Sequence, residues 1–297
     1  MSDKTHAAVP TELISCNNVV DRAETFKEHT DHWMNENADQ FDPFYWTDTG
    51  TREVRRKALT EAAHYLYVAD MHDDSAAPQL KNLLATRAND ESFYRLLRRK
   101  PTELDKLGYP LVYLSTIDEL DPNAKRVLDD VLDWPETWSK SRLPARQLDL
   151  WNLCRMYGYD GHDFDLNQLL DHGYATRSLN MAQVNQNDVY GLTHEFLYYH
   201  NLGSGSDAFP DEPLEYNHPS VLQAGILRFM IEGHTDLVAE LLICGVLQRQ
   251  VPPGLARFTF SWLFDHLDDD GYLSFSVEST EELKKVRWTR HRQLGRK

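Results

Sequence analysis

The sequence predicts an all-α fold, an α/α toroid in which about twelve helices close fully or partly into a ring. Three observations predict it. Apolar residues recur at helical spacing from about residue 50 to the C-terminus. Short turns with recognisable caps separate the periodic segments. Strand-like alternation is scarce, "GYLSFSV" at 271–277 being the one convincing run, a short hairpin-like segment at most. Paired helices without a heptad or a repeat of fixed period leave an open solenoid or a closed ring. A ring buries its end helices and needs no terminal caps, which fits a chain whose last segment is itself helix-patterned.

Each element has a local reason. Residues 1–45 are polar and weakly patterned, and read as an N-terminal arm whose end, with Phe41, Phe44, Tyr45 and Trp46, docks on a single helical domain at 46–297. "TREVRRKALTEAAHYLYVADM" sets Val54, Ala58, Leu59, Ala62, Tyr65 and Leu66 on one helical face. "SAAPQLKNLLATRA" and "DESFYRLLRRK" follow. "PTELDKLGYPLVYLSTIDEL" opens with a favourable Pro-Thr-Glu turn, and "DPNAKRVLDDVLDW" opens with Asp121 as N-cap and Pro122 in the first helical position. "SRLPARQLDLWNLCRMYG" and "HDFDLNQLLDHG" end at Gly158 and Gly173. A helix at about 187–202, then "HPSVLQAGILRFMIEG", "HTDLVAELLICGVLQ", "PGLARFTFSWLFDHL" and "STEELKKVRWTRHRQL", completes the set.

The bulk numbers narrow the function. Over 297 residues, 41% hydrophobic and 26% charged content supports a sizeable core. A net charge of −16 argues against nucleic acid or an anionic membrane as partner. Cys16, Cys154 and Cys244 have no CxxC spacing, which fits a reducing compartment. No signal-like or membrane-spanning apolar run appears, so the expected location is cytoplasmic. No G-x-S-x-G elbow, H-E-x-x-H helix, P-loop or dinucleotide fingerprint is present.

The richest chemistry lies in "DVYGLTHEFLYYHNLG", 188–203. Tyr190, His194 and Tyr198 stand four residues apart and stack on one helical face. His200 lies about 120° round the helix from His194, so the two cannot readily share an ion; its place near the helix C-terminus suits an exposed or capping cation. In "HTDLVAELLIC", Asp236 and Glu240 project from one face at i and i+4 among Leu and Val. Two carboxylates close together in an apolar setting repel, and one of them holds its proton to higher pH, as a general acid must. The same pair is most of a His-carboxylate metal site if His194 faces it. Asp236 also reads as a helix-start acid. Arg146 and Asp149, three apart, read by spacing alone as a surface ion pair. The run Asp265, Asp268, Asp269, Asp270 reads as a solvated turn without EF-hand spacing.

Two resemblances add to this. "FDHLDDDGYLSF" loosely resembles the Q-x-x-D-G-x-W turns of terpenoid-cyclase-type toroids, without the Gln or the Trp. Lanthionine cyclases share the toroid plan, but their Zn-binding Cys and His set is missing here. More extensively, Pro144, Arg146 and Asp149 in "RLPARQLDLWNL", Leu192, Thr193, His194 and Tyr198, Asp236 and Glu240, Asp270 and Gly271, and His291 in "WTRHRQL" are similar to the pattern of an uncharacterised all-helical domain family. That family is found mainly in actinobacteria, often beside natural-product gene clusters. The resemblance spans roughly residues 50–297.

It implies a tailoring enzyme for a small molecule or a peptide, working in the central funnel of the toroid. Tyr190, His194, Tyr198, Asp236 and Glu240 would be catalytic, with Arg146 and Asp149 binding substrate. The reaction would be acid–base, with Glu240 as acid and His194 as base, or metal-dependent oxidation or cyclisation, with His194, Glu240 and Asp236 or His291 around Fe, Mn, Cu or Zn. A non-catalytic helical scaffold for a peptide or partner protein is the alternative, and a terpene-cyclase-like acid-initiated cyclase the third reading.

Overall fold

Every regular element among the described residues is helical. The computed structural model describes residues 16–43, 49–71, 77–204, 219–267 and 273. Thirteen α-helices lie within them: α1 Cys16–Glu36, α2 Thr49–Met71, α3 Pro78–Ala88, α4 Glu91–Arg99, α5 Leu104–Thr116, α6 Pro122–Asp133, α7 Pro135–Ser139, α8 Pro144–Tyr157, α9 Leu166–His172, α10 Gln186–Tyr199, α11 Pro219–Glu232, α12 Thr235–Leu247 and α13 Pro253–Asp265. No helix among the described residues is long and apolar enough to cross a membrane. The strand-like run at 271–277 (Leu273 apart), the acidic turn at 268–270 and the closing helical segment lie outside the described residues.

Within the expected polar arm, residues 16–36 form a regular helix, α1, which the sequence reading did not single out. Its pattern is too polar to announce a helix, and its partners are distant in sequence. Arg22 pairs with Asp265 of α13 at 3.0 Å and lies over the Phe264 ring, against which Phe26 packs edge-on. At its other end, Asn35 Oδ1 accepts the N–H of Gln79 at 2.7 Å. That bond satisfies a free amide in the first turn of α3, whose own N-cap, Ala77, has no side-chain acceptor.

Local caps set most other boundaries. Asp121 accepts the N–H groups of Asn123 and Ala124, and Gly158 ends α8 at φ 75°. Gly173 ends α9 in an extended conformation, so handedness is not why glycine stands there. A Cβ at 173 would lie 2.5 Å from the carboxylate of Glu195, which packs against this backbone.

The core is centred on α5, buried along its length despite Pro110 in its interior. Proline removes the N–H that would bond the carbonyl of Lys106 one turn earlier. The hydroxyl of Thr60, on α2, donates to that carbonyl at 2.7 Å, satisfying the orphan group and fixing the register of α2 on α5. On the far side, Gly108 lets α8 approach: a Cβ there would lie 2.6 Å from Leu153.

Two apolar clusters result, one over α2–α6 with the inner face of α8, the other over α10–α13. A third joins them through Leu148 and Trp151 of α8, Leu169 and Leu170 of α9, and Tyr198 and Tyr199 of α10. Followed by contact, α1 packs on α3, α3 on α2 and α5, α5 on α8, α8 on α10, α10 on α12, α12 on α13, and α13 on α1 again.

Candidate functional site

Helix α10 has two working faces. Asn185 caps its start by accepting the N–H of Asp188 at 3.0 Å. Val189, Leu192 and Phe196 enter the core beside α11 and α12. The Tyr190, His194 and Tyr198 rings follow one another along the helix, with centroids 6.3 and 5.7 Å apart. Two bonds tie this helix to α12. Tyr190 donates its hydroxyl to Asp236 at 2.6 Å, and Thr193 donates to Glu240 at 2.5 Å.

Burial at this interface shifts two groups from their ordinary values. Burial pushes Glu240 up to about 7, with the nearby charges of Asp236 and Glu61 adding to the rise and the Thr193 bond and Lys57 opposing it. Burial takes His194 down to about 4, and the positive charges of Arg146 and Lys57 act the same way. The imidazole is therefore neutral near pH 7, and Glu240 keeps its proton to higher pH than a solvated carboxyl does. Lys57 and Glu61, on α2, form an exposed pair at 3.3 Å and mark the rim.

One turn inward on α2, His64 packs edge-on against Tyr109 of α5, centroids 4.0 Å apart, and lies 6.4 Å from the Tyr198 ring. Burial, with the neighbouring His194, takes it down to about 3. Its Nε2 has no hydrogen-bond partner among the described residues. From α8, Arg146 reaches Asp149 Oδ2 at 3.1 Å, the guanidinium half-exposed and the carboxylate buried. Burial pushes Asp149 up to about 7, against the pull of Tyr109 and Arg146 and with that of Asp105. Tyr109 donates to the backbone oxygen of Asp149 at 2.8 Å, and Asn152 Nδ2 bonds Tyr198 O at 3.1 Å, so α5, α8 and α10 are locked together beneath the site.

The structure thus brings Tyr190, Asp236 and Glu240 together at the α10–α12 interface, while His194 and Tyr198 continue the Tyr190 face of α10 toward His64 of α2, with Arg146 and Asp149 acting on Tyr198. Both Asp149 and Glu240 contribute to raising the Tyr198 hydroxyl far above its ordinary range, after burial. The Arg146–Asp149 pair is not the surface pair that spacing suggests, because its acid is buried. His200 occupies the C-cap of α10 but is buried, accepting a bond from Gln248 Nε2 at 2.7 Å.

Among the described residues no three His, Cys, Asp or Glu side chains could hold an ion, so His194, Glu240 and Asp236 do not by themselves form the expected metal set. Asp236 and Glu240 are each turned to an α10 hydroxyl instead. His291 lies outside the described residues, and Asp265 is spent on Arg22 at the surface.

Sequence reasoning missed His64, Asp105, Tyr109 and Glu195. A histidine between Ala63 and Tyr65 on an apolar helical face was the available sign of His64. Glu195, directly beside His194, faces away from the site. Its Oε2 accepts the N–H groups of Tyr174 and Ala175 at 2.7 and 2.8 Å, anchoring the loop after α9 to the back of α10. Burial pushes it up to about 7 against those bonds.

No curated protein and no solved structure matches the chain. A family model described as "Domain of unknown function (DUF6895)" matches residues 28–293. With that span covering most of its 297 residues, the chain belongs to this family.

Proposed function

We propose that this chain is an acid–base enzyme that tailors a small molecule or a peptide, of the kind made in natural-product pathways, inside a ring of helices. The ring reading is supported by the order of helix neighbours, which leaves α1 through α3 and returns to it through α13. One observation carries the catalytic reading. The two bonds Tyr190–Asp236 and Thr193–Glu240 set Glu240 beside the aromatic–imidazole face of α10. Proton transfer is most effective from a group whose pKa lies near the working pH, so Glu240, near 7, is the principal donor. Its carboxyl proton passes to the substrate, and neutral His194 accepts a proton from the substrate. Tyr190 and Tyr198 wall the reacting centre on either side of the imidazole.

The test uses substrate capture. Glu240→Gln protein is exposed to a small-molecule and peptide extract, and the retained compounds are offered to wild type and to His194→Ala, with mass spectrometry as readout. Wild type is expected to convert at least one retained compound, with both variants slower by 100-fold or more. Compounds held equally by all three proteins and returned unchanged by wild type would make the chain a binding scaffold.

A further inference from the structure

The starts of α5 and α8 carry side chains that neither helix stability nor the core explains. Lys106 is exposed in the first turn of α5, where every other residue from 104 to 114 is buried. Arg146 stands half-exposed in the first turn of α8. A cation at either place opposes the helix dipole. Leu143 takes the N-cap of α8, a position that favours a side-chain acceptor, and is 69% exposed. The two starts lie side by side. Arg142 Nη2 donates to the carbonyls of Thr102 at 2.8 Å and Thr137 at 3.1 Å, and Nη1 to that of Lys140 at 3.2 Å. The 3₁₀ turn Pro101–Glu103, which leads into α5, is thereby held against α7 and the entry to α8. The charge here is positive. From Glu91 to Lys106 and from Pro135 to Arg146, eight Lys and Arg stand against four Asp and Glu, where the whole chain has 31 against 47. Three of these cations have a carboxylate partner, in Arg95–Glu91, Lys100–Glu103 and Arg146–Asp149. Among the described residues Arg98, Arg99, Lys106, Lys140 and Arg142 have none, and Arg98 lies over the Trp134 ring. Of the acids, Asp105 is buried, and Glu136 on α7 is exposed without a cation among the described residues.

We propose that this surface docks an acidic segment of polypeptide that also carries apolar side chains. Its carboxylates meet Arg99, Lys106 and Lys140, and an apolar side chain covers Leu143. Charge complementarity of this kind steers association and sets partner choice. The extent of the patch selects the occupant. A bilayer surface or a nucleic acid presents anionic charge far beyond it, and a body of net charge −16 repels that excess. A short acidic segment stays within the patch and leaves the surrounding acids solvated. A free phosphate uses the cations alone and leaves Leu143 in water. The patch ends at Arg146, at the edge of the candidate site. Docking goes beyond the acid–base reading and does not depend on it.

The test follows the fluorescence anisotropy of a labelled peptide of six Glu and two Leu, titrated with the full chain at pH 7.5. Comparison peptides carry Gln in place of Glu, or Ser in place of Leu. The acidic–apolar peptide is expected to bind ten-fold or more tighter than the Gln peptide and about three-fold tighter than the Ser peptide. Raising salt from about 0.05 to about 0.5 M should weaken it ten-fold or more. Lys106→Glu and Lys140→Glu, their folding checked by circular dichroism, should each weaken it five-fold or more. Leu143→Ser should remove the advantage of Leu over Ser in the peptide. Arg257→Glu makes the same change of charge on α13, which packs on α1, α11 and α12, and should leave binding within two-fold. Glu240→Gln should bind the peptide as wild type does, so docking and catalysis fail separately. Absent binding, or equal binding of the Glu and Gln peptides, overturns the proposal. So does a loss in Arg257→Glu that matches the losses in Lys106→Glu and Lys140→Glu. Tighter binding of oligothymidylate or of phosphatidylserine vesicles than of the acidic peptide would also overturn it, by assigning the surface to nucleic acid or membrane.

Discussion

Thr193 donates its hydroxyl to Glu240 across the α10–α12 interface, oxygen to oxygen at 2.5 Å. The same hydroxyl lies 3.1 Å from the carbonyl of Tyr190, a longer alternative acceptor. A donor held against a carboxylate favours its ionised form, so Thr193 opposes the burial that drives Glu240 upward. Replacing Thr193 with Val keeps the shape and removes the donor. The Glu240 midpoint, followed by carboxyl carbon NMR, should then move above its wild-type position near 7. A downward or absent shift would show that the hydroxyl does not act on this carboxyl.

Thr60 and Pro110 make a second pair whose logic is structural. Thr60→Val leaves the Lys106 carbonyl buried opposite a proline with no N–H, and should cost about 1–2 kcal/mol in urea unfolding. Thr60→Ser should recover most of that loss.

Glu195 gives a prediction in pH. Its folded pKa, near 7, lies above the ordinary 4.5, so its contribution to stability is full below about 4.5 and is lost as pH rises through 7. A shift of that size corresponds to an effect on the order of 3 kcal/mol. Glu195→Gln keeps an acceptor for the Tyr174 and Ala175 amides and cannot ionise. Between pH 5 and 8, wild type should therefore lose stability relative to the variant by that order, as read from denaturant midpoints. Asp149 and Glu240 act in the same direction in both proteins, so the difference isolates Glu195. His64 and His194 act oppositely: their depressed values give stability that is full above 6.5 and is lost as pH falls toward 4 and 3.

Much of this fold was legible where the physics is local. Asp121–Pro122 announces α6 because a side-chain oxygen and a fixed φ complete its first turn, and Gly158 announces the end of α8 by adopting a left-handed conformation. Helix α1 was illegible because its reasons, Asp265 and Phe264, lie more than two hundred residues away. The site divides in the same way. Tyr190, His194 and Tyr198 share a helical face that spacing alone defines, and Asp236 and Glu240 share another. That the two faces meet depends on packing, which no periodicity records. Asp105 was hidden because an acid in a first turn ordinarily serves the helix dipole. Only the approach of α8, through Gly108, turns its surroundings into a buried acidic cluster.

The most direct measurement is the site-resolved titration of Glu240 and His194 in the folded wild-type chain, carboxyl carbon and imidazole signals being assigned with Glu240→Gln and His194→Ala. The account predicts Glu240 losing its proton near pH 7 while His194 stays neutral down to about pH 4. A Glu240 midpoint near 4.5 together with a His194 midpoint near 6.5, the values of solvated side chains, would contradict it.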